Sequence, residues 1–310
     1  MIRTTSLAAA LLCLSLAGSV SAQTTFAEAM KEIATQRATN NNDAAEAAAR
    51  KAVELAGSND EKAQAYQQLS LVFTAKRDYP KAIEIIEQGL TIEGLRPTRK
   101  YSLVATAGAA YLANGDFEKA RETYTSIIDA QDAPNNARVR GTILLASTYS
   151  TSNRDQRSPA RARELLKSVE NLTYATPGEK AEARMSLANL EVAEKNYDEG
   201  IAILNGLLEM ENITPVNRVR YRITLGNAYR AARNFEQALA AYDLVLGDDN
   251  ATPAYKATAQ QGKAASYHNA RDFAKAIEAY EELQKMPGAS ASQKAAARTN
   301  IERLRKEAAQ

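Results

Sequence analysis

The fold is decided by residues 225–245, which read LGNAYRAARNFEQALAAYDLV. At the start of this stretch a small residue, Gly226, stands three positions before an aromatic residue, Tyr229, so both lie on one face of a helix. Arg233 and Asn234 then predict a turn. After the turn, side chains for a buried face recur at i, i+3, i+7 and i+10, at Phe235, Ala238, Tyr242 and Val245. This is the spacing of a second amphipathic helix, so the stretch predicts a helical hairpin.

The hairpin recurs along the chain. The small residue that opens the buried face of each second helix is found at Ala82, Ala120, Ala162, Gly200, Ala238 and Ala276. Successive positions are 38, 42, 38, 38 and 38 residues apart, and a weaker alanine-rich copy surrounds Ala45. A fixed period of this length is typical of proteins that stack one supersecondary unit on the next. The 42-residue interval contains a longer polar turn at residues 150–157, which we interpret as a solvated connector, with a binding loop as the alternative.

Short polar residues and small residues mark the helix boundaries and contacts. Asp or Asn precedes the aromatic residue at the start of five second helices, which predicts N-caps at Asp78, Asp116, Asn196, Asn234 and Asp272. Thr-Pro pairs predict the starts of three first helices, at residues 176–177, 214–215 and 252–253. Most first helices carry a small residue three positions before a ring. Glu191 replaces the ring in one unit, where we expect Leu190 to compensate in part.

These residues resemble the tetratricopeptide repeat. Residues 66–73, YQQLSLVF, parallel the W-x2-L-G-x2-Y pattern of that family, and Leu225, Gly226 and Tyr229 match its L-G-x2-Y part. The resemblance covers residues 25–289, with a period of 38 residues where the family has about 34, and without tryptophan. It implies an all-α fold, a right-handed α-solenoid of about six to seven antiparallel helix hairpins with a C-terminal capping helix.

The predicted solenoid is a single domain, residues 23–310. Its expected repeats are 25–57, 60–96, 98–134, 137–175, 177–213, 215–251 and 253–289, followed by a capping helix at 290–309. This last helix has a narrow apolar stripe of Ala297, Ile301, Leu304 and Ala308, and its other faces are basic. A polar outer face is typical of an element that closes a solenoid; a basic helix that binds a partner is the alternative.

Residues 1–22 have the pattern of a secretory signal peptide. Arg3 precedes a short apolar run at residues 7–16, and small residues end the segment at Ala22. We expect cleavage after Ala22 and a periplasmic or secreted protein, with a buried N-terminal helix as the alternative. The apolar run is too short to span a bilayer, so no membrane insertion is expected after cleavage. The single cysteine, Cys13, lies within the segment, so the mature chain is expected to have no thiol.

The side-chain inventory argues against catalysis. The chain has one histidine, His268, and contains no G-x-S-x-G, H-E-x-x-H or glycine-rich phosphate-loop motif. We therefore expect no catalytic, cofactor-binding or metal-binding residues, no cofactor and no enzyme activity. The 39 Lys and Arg nearly balance the 37 Asp and Glu, so the sequence does not predict a nucleic-acid partner.

The expected binding surface is the concave groove, because the first helices of such repeats line the inner side of the solenoid. Polar side chains predicted to point into it are Arg140, Asn189, Arg220, Asn227, Arg230 and His268. Asn and Arg side chains suit an extended peptide or a carboxylate, although solvated residues without a ligand are the alternative. The sequence thus favours a non-catalytic scaffold of the cell envelope that binds an unknown envelope protein or peptide. A glycan- or small-molecule-binding accessory protein is the second hypothesis.

Overall fold

The computed structural model describes residues 25–151 and 156–307 of the chain. The predicted signal peptide with Cys13, the centre of the 150–157 turn, and Ala308 of the predicted terminal stripe therefore lie outside the described residues. Within these ranges the structure contains helices and no strand. Seven hairpins follow one another, pairing α1 (Phe26–Ala38) with α2 (Asn42–Leu55), α3 (Asn59–Ala75) with α4 (Tyr79–Leu90), α5 (Pro97–Asn114) with α6 (Phe117–Asp129), α7 (Asn135–Thr151) with α8 (Pro159–Ser168), α9 (Pro177–Ala193) with α10 (Tyr197–Leu208), α11 (Pro215–Ala231) with α12 (Phe235–Leu246), and α13 (Pro253–Asn269) with α14 (Phe273–Lys285).

A fifteenth helix, α15 (Ala291–Glu307), follows the last hairpin and packs on α14 and α13. Its buried residues are Ala297, Ile301 and Leu304, the described part of the predicted stripe. The helix therefore covers the end of the stack with one apolar edge. An all-α solenoid of helix hairpins, as predicted, is confirmed.

The Thr-Pro pairs begin first helices as predicted. The hydroxyl oxygen of Thr176 accepts a hydrogen bond from the backbone N–H of Glu179, and those of Thr214 and Thr252 accept from the corresponding residues of α11 and α13. In all three helices proline is the first helical residue, where its missing N–H leaves no helical bond unmade. These starts are therefore fixed by local chemistry alone.

The N-cap prediction for the second helices is only partly correct. The carboxylates of Asp78 and Asp272 accept backbone hydrogen bonds from the third helical residue. Asp116, Asn196 and Asn234 are also the N-cap residues of their helices but make no side-chain cap bond, so at these three the predicted position is correct and the predicted bond is wrong. Two of them have other partners, because the Asp116 carboxylate accepts from the Asn114 amide and the Asn196 amide donates to Glu191.

Backbone conformation fixes these turns where side-chain caps do not. The residue before the Asp or Asn is left-handed in the described turns, with φ of 62° at Arg77, 66° at Lys195, 65° at Arg233, 62° at Arg271 and 88° at Gly115. The next backbone N–H then bonds back to a carbonyl five residues earlier, as in the 2.8 Å bond from Asn234 to Tyr229. This closure is a common way to end a helix and reverse the chain.

Close contact between small residues and rings holds adjacent helices together. Tyr242 of α12 is fully buried, and its ring lies against Gly226 of α11 and Gly262 of α13. A methyl group at Gly226 would stand 2.6 Å from Cε1 of the ring, and one at Gly262 would stand 2.4 Å from Cζ. Both glycines are therefore required by the approach of the ring. The same packing joins Tyr124 of α6 to Gly108 of α5.

The unit that lacks a ring is held by a buried ion pair. The carboxylate of Glu191 is only 2% exposed and accepts two hydrogen bonds from Arg163, at 2.6 and 2.8 Å, and one from the Asn196 amide at 2.7 Å. Leu190 is buried beside it, as expected. Charge pairing rather than an apolar residue alone thus replaces the ring at this position.

Successive first helices pack directly on one another, from α1 on α3 through to α13 on α15. In the part of the chain that the structure describes, successive second helices do not pack on one another in this way. The first helices are therefore closer together and form the inner wall of the solenoid, and the second helices lie outside.

Candidate functional site

The inner wall contains the six side chains that the sequence singles out, but they have different surroundings. Arg140, Asn189, Arg220 and Asn227 are exposed, whereas Arg230 and His268 are half-buried. The structure brings Asn227 and Arg230 together on α11. The other candidates are distributed over α7, α9, α11 and α13 and do not form one cluster.

Asn227 takes part in the packing of its own hairpin. Its amide oxygen accepts a 2.8 Å hydrogen bond from the hydroxyl of the buried Tyr242. Burial raises the pKa of Tyr242, and the nearby Arg230 guanidinium opposes this rise. The Nε of Arg230 is itself buried without a hydrogen-bond partner in the described residues. Asn227 and Arg230 thus surround a tyrosine hydroxyl at the surface of the inner wall.

His268 belongs to the interface with α15. Its Nε2 lies 3.7 Å from a carboxylate oxygen of Glu307, and its Nδ1 lies 3.5 Å from Nη2 of Arg303. The histidine ring is also 6.4 Å from the ring of Phe273. Packing within the chain therefore accounts for this position of the predicted site.

Arg140 and Asn189 are the candidates without structural partners. Neither makes a hydrogen bond or an ion pair among the described residues, whereas Arg220 bonds weakly to the Asn217 amide oxygen at 3.3 Å. Because the polar groups of Arg140 and Asn189 are not bonded to other described residues, they are available to bind a ligand.

The inner wall contains a pocket of about 390 Å³ that sequence reasoning missed. It crosses three first helices, and its lining includes Leu71 of α3, Ala105 and Ala109 of α5, and Arg140 and Leu144 of α7. We call it the inner pocket. The signal in the sequence is the pair of alanines one turn apart at inner positions of α5, which leave space between the larger side chains on either side.

The lining of the inner pocket has one charge. Among the described residues that line it, Arg140 is the only charged one, and none is Asp or Glu. On the opposite side Gln67 is fixed, because its amide donates to the Ser102 hydroxyl at 2.9 Å and to the Thr106 hydroxyl at 2.7 Å. The pocket therefore combines an apolar centre, a rigid polar edge and an unpaired cation.

A larger open notch of about 870 Å³ lies among the turns of the fourth to sixth hairpins. Its central groups are Arg163, Glu191 and Asn196, which are already bonded to one another. The structural ion pair thus occupies part of the notch, whose lining also includes Lys195, Asp198 and Glu199.

The described ranges do not contain two other kinds of site. No group of three or more His, Cys, Asp or Glu side chains there is placed so that it could hold a metal ion. None of the helices described has the length and apolar character needed to cross a membrane.

Comparison with known proteins rests on structure, because no family model and no curated protein matches the chain. A crystal structure of a tetratricopeptide repeat protein from Parabacteroides merdae superposes with a TM-score of 0.56, at 15% identity, over 90% of this chain and 98% of that one. The chain has the tetratricopeptide-repeat fold. A signal-transduction ATPase of Pyrococcus horikoshii with a tetratricopeptide repeat sensor gives a TM-score of 0.52 at 14% identity, over 93% of this chain and 50% of that one.

A third solved structure with similar architecture is the APC/C hetero-tetramer. Its TM-score is 0.50 at 13% identity, and the match covers 88% of this chain and 48% of that chain. The tetratricopeptide repeats of the first two structures agree with the resemblance found in residues 66–73 and 225–229 of the sequence.

Proposed function

We propose that the chain is a non-catalytic scaffold that binds a protein or an extended peptide along its inner wall. The observation that carries this proposal is the inner pocket, which spans three hairpins and has an unpaired arginine at its edge. A solenoid offers a long concave surface of this kind, whereas its outer helices present separate convex ridges. The similar structures support the proposal at the level of fold, since one of them is a repeat sensor and another is part of a hetero-tetramer.

The proposed ligand surface runs from the inner pocket past Asn189 to Arg220 on α11. Asn227 and Arg230 contribute at the C-terminal side, although Asn227 also supports Tyr242. We further propose that the chain is exported to the periplasm or the medium, on the pattern of residues 1–22, and that its partner is an envelope protein. N-terminal sequencing of the mature protein tests export, and a first residue of Gln23 is expected.

Site-specific photo-cross-linking in the source cells tests the binding surface. A benzophenone amino acid is placed at one of two inner positions, Ala109 or Asn189, or at one of two exposed outer positions, Thr125 or Ala202. We expect the inner positions to capture the same partner and the outer positions to capture little. Equal capture from both faces would contradict the proposal. Capture of a glycan instead of a protein would favour the accessory-protein alternative.

A further inference from the structure

The buried hydroxyl of Tyr124 lacks a partner. Tyr124 is fully buried on α6, and its hydroxyl makes no hydrogen bond among the described residues. Burial raises the pKa of this tyrosine to about 12, against the opposing charge of Arg140, so the hydroxyl keeps its proton at neutral pH. A buried donor without an acceptor costs about 1–3 kcal/mol, which makes this group an unusual feature of a well-packed solenoid.

The equivalent ring three hairpins later shows what is missing. Tyr242 packs on Gly226 and donates to Asn227, the residue that follows this glycine. Tyr124 packs in the same way on Gly108, but the following residue is Ala109, which has no acceptor in its side chain. At this ring the inner wall thus lacks the built-in acceptor.

The ring of Tyr124 packs against Gly108, next to the inner pocket, although Tyr124 is not among the described residues that line the pocket. Its Cε1 and Cζ atoms are the ring atoms nearest to Gly108, at 2.5 and 2.7 Å from the position that a methyl group on this glycine would occupy. Ala105 and Ala109, on either side of this glycine, both line the inner pocket. Arg140 also lines the pocket, and its positive charge lowers the pKa of Tyr124 against the larger rise caused by burial.

We propose that the inner pocket binds an acidic side chain, Asp or Glu, of an extended partner segment. The carboxylate pairs with the guanidinium of Arg140 and supplies the acceptor that the Tyr124 hydroxyl lacks. The aliphatic part of the side chain packs against Leu71, Ala105 and Ala109. This inference rests on the proposed function and adds the chemistry of the partner.

Charge complementarity favours an acidic side chain as the group bound in the inner pocket. The Arg140 guanidinium and the nearby Tyr124 hydroxyl both offer protons, and no carboxylate among the described lining residues competes for Arg140. A purely apolar side chain would fill the volume but would leave the hydroxyl and the guanidinium without an acceptor. A carboxylate satisfies both groups through charge-assisted hydrogen bonds.

Selection of peptides tests the proposal. A phage-displayed library of random 12-residue peptides is selected on the immobilised chain at low salt, because screening weakens exposed ion pairs. Enriched peptides are synthesised with their acidic residue intact or replaced by its amide, Glu→Gln or Asp→Asn, and binding is measured by fluorescence anisotropy. We expect Asp or Glu beside apolar residues in the enriched sequences, and about tenfold weaker binding of the amide form.

Two variants and a control locate the carboxylate. In Arg140→Gln the difference between the acidic and amide peptides should fall to about twofold or less, and Tyr124→Phe should weaken binding of the acidic form. Arg161→Gln, at an exposed position of the outer helix α8, should keep the full difference. An undiminished acidic preference in Arg140→Gln, or selection of purely apolar peptides, would overturn the inference and leave the proposed function standing. Unchanged binding by Tyr124→Phe would overturn the part assigned to the hydroxyl. No enriched peptide at all would contradict the proposed function itself.

Discussion

The hydroxyl of Tyr242 donates a 2.8 Å hydrogen bond to the amide oxygen of Asn227, which joins the core of the sixth hairpin to the surface of the inner wall. Asn227 therefore has a structural role in addition to its place in the groove. Asn189, at the same position of the preceding first helix, has no such bond. Substitutions of Asn227 and Asn189 can therefore be compared to separate an effect on the stability of the fold from an effect on ligand binding.

Replacing Asn227 by alanine is expected to destabilise the free protein. The Tyr242 hydroxyl would lose its acceptor while its ring stays buried, which costs about 1–2 kcal/mol. Asn189→Ala is the matched control and should change the stability by less than about 0.5 kcal/mol, because the side chain is exposed and unbonded. Urea denaturation followed by circular dichroism measures both. Equal stability of the two variants would refute the structural role of Asn227.

Removing the two buried tyrosine hydroxyls should have unequal effects on stability. Tyr124→Phe removes a donor that has no acceptor, so we expect no loss of stability and a gain of up to about 1 kcal/mol. Tyr242→Phe removes the bond to Asn227 and should cost about 1 kcal/mol. The same denaturation assay distinguishes the two. A loss in Tyr124→Phe equal to that in Tyr242→Phe would show that the Tyr124 hydroxyl has a partner.

The close approach of Tyr242 to α11 predicts opposite effects at two helical glycines. In Gly226→Ala the new methyl group would meet the tyrosine ring at 2.6 Å, so we expect a loss of about 1–3 kcal/mol from overpacking. In Gly206→Ala, on the outer helix α10, no atom lies within 4 Å of the methyl position. This control should gain about 0.5–1 kcal/mol from helix propensity. Thermal unfolding of both variants checks the sign of each change.

The buried pair of Glu191 and Arg163 predicts a pH-dependent contribution to stability. Hydrogen bonds from Arg163 and Asn196 hold the pKa of Glu191 below its ordinary value of 4.5, against the effect of burial. The stabilisation is therefore complete above about pH 4.5 and is lost as the pH falls through the lowered pKa. Glu191→Gln should cost about 3 kcal/mol at pH 7, and the difference from wild type should shrink as the pH falls below 4.5. A difference that does not vary with pH would contradict this assignment.

The double variant Arg163→Met/Glu191→Leu is the control for that experiment. It removes both charges together, so no unpaired charge stays buried, and it should recover most of the stability lost in Glu191→Gln. Failure to recover would mean that the carboxylate has an essential role beyond its pairing with Arg163.

The architecture could be predicted from the sequence because its signals are local and repeated. The spacing of small and aromatic residues around Gly226 and Ala238 predicts one hairpin, and the 38-residue period predicts that such hairpins stack into a solenoid. Thr176 and Pro177 begin a helix through bonds within four residues, so that start was also predictable. The N-cap positions of Asp116, Asn196 and Asn234 were predictable as well, but the lack of their side-chain cap bonds was not, since Asp116 and Asn196 bond to other side chains instead.

The candidate site was predicted less well, because its properties depend on contacts between hairpins. Nothing next to Asn227 in the sequence indicates that a hydroxyl fifteen residues later occupies its amide oxygen. His268 looked free, yet α15 lies over it. The inner pocket needs side chains from three helices, and only the alanines at 105 and 109 indicated the space. Arg140 is the candidate that lines the inner pocket, and its role in binding stays a prediction.

A crystal structure of the chain with the peptide most enriched by selection would show directly where a partner binds. We expect an extended segment along the inner wall, with a carboxylate oxygen within hydrogen-bonding distance of the Arg140 guanidinium in the inner pocket. A peptide bound on the outer helices, or on the inner wall with the pocket empty and Arg140 uncontacted, would contradict it.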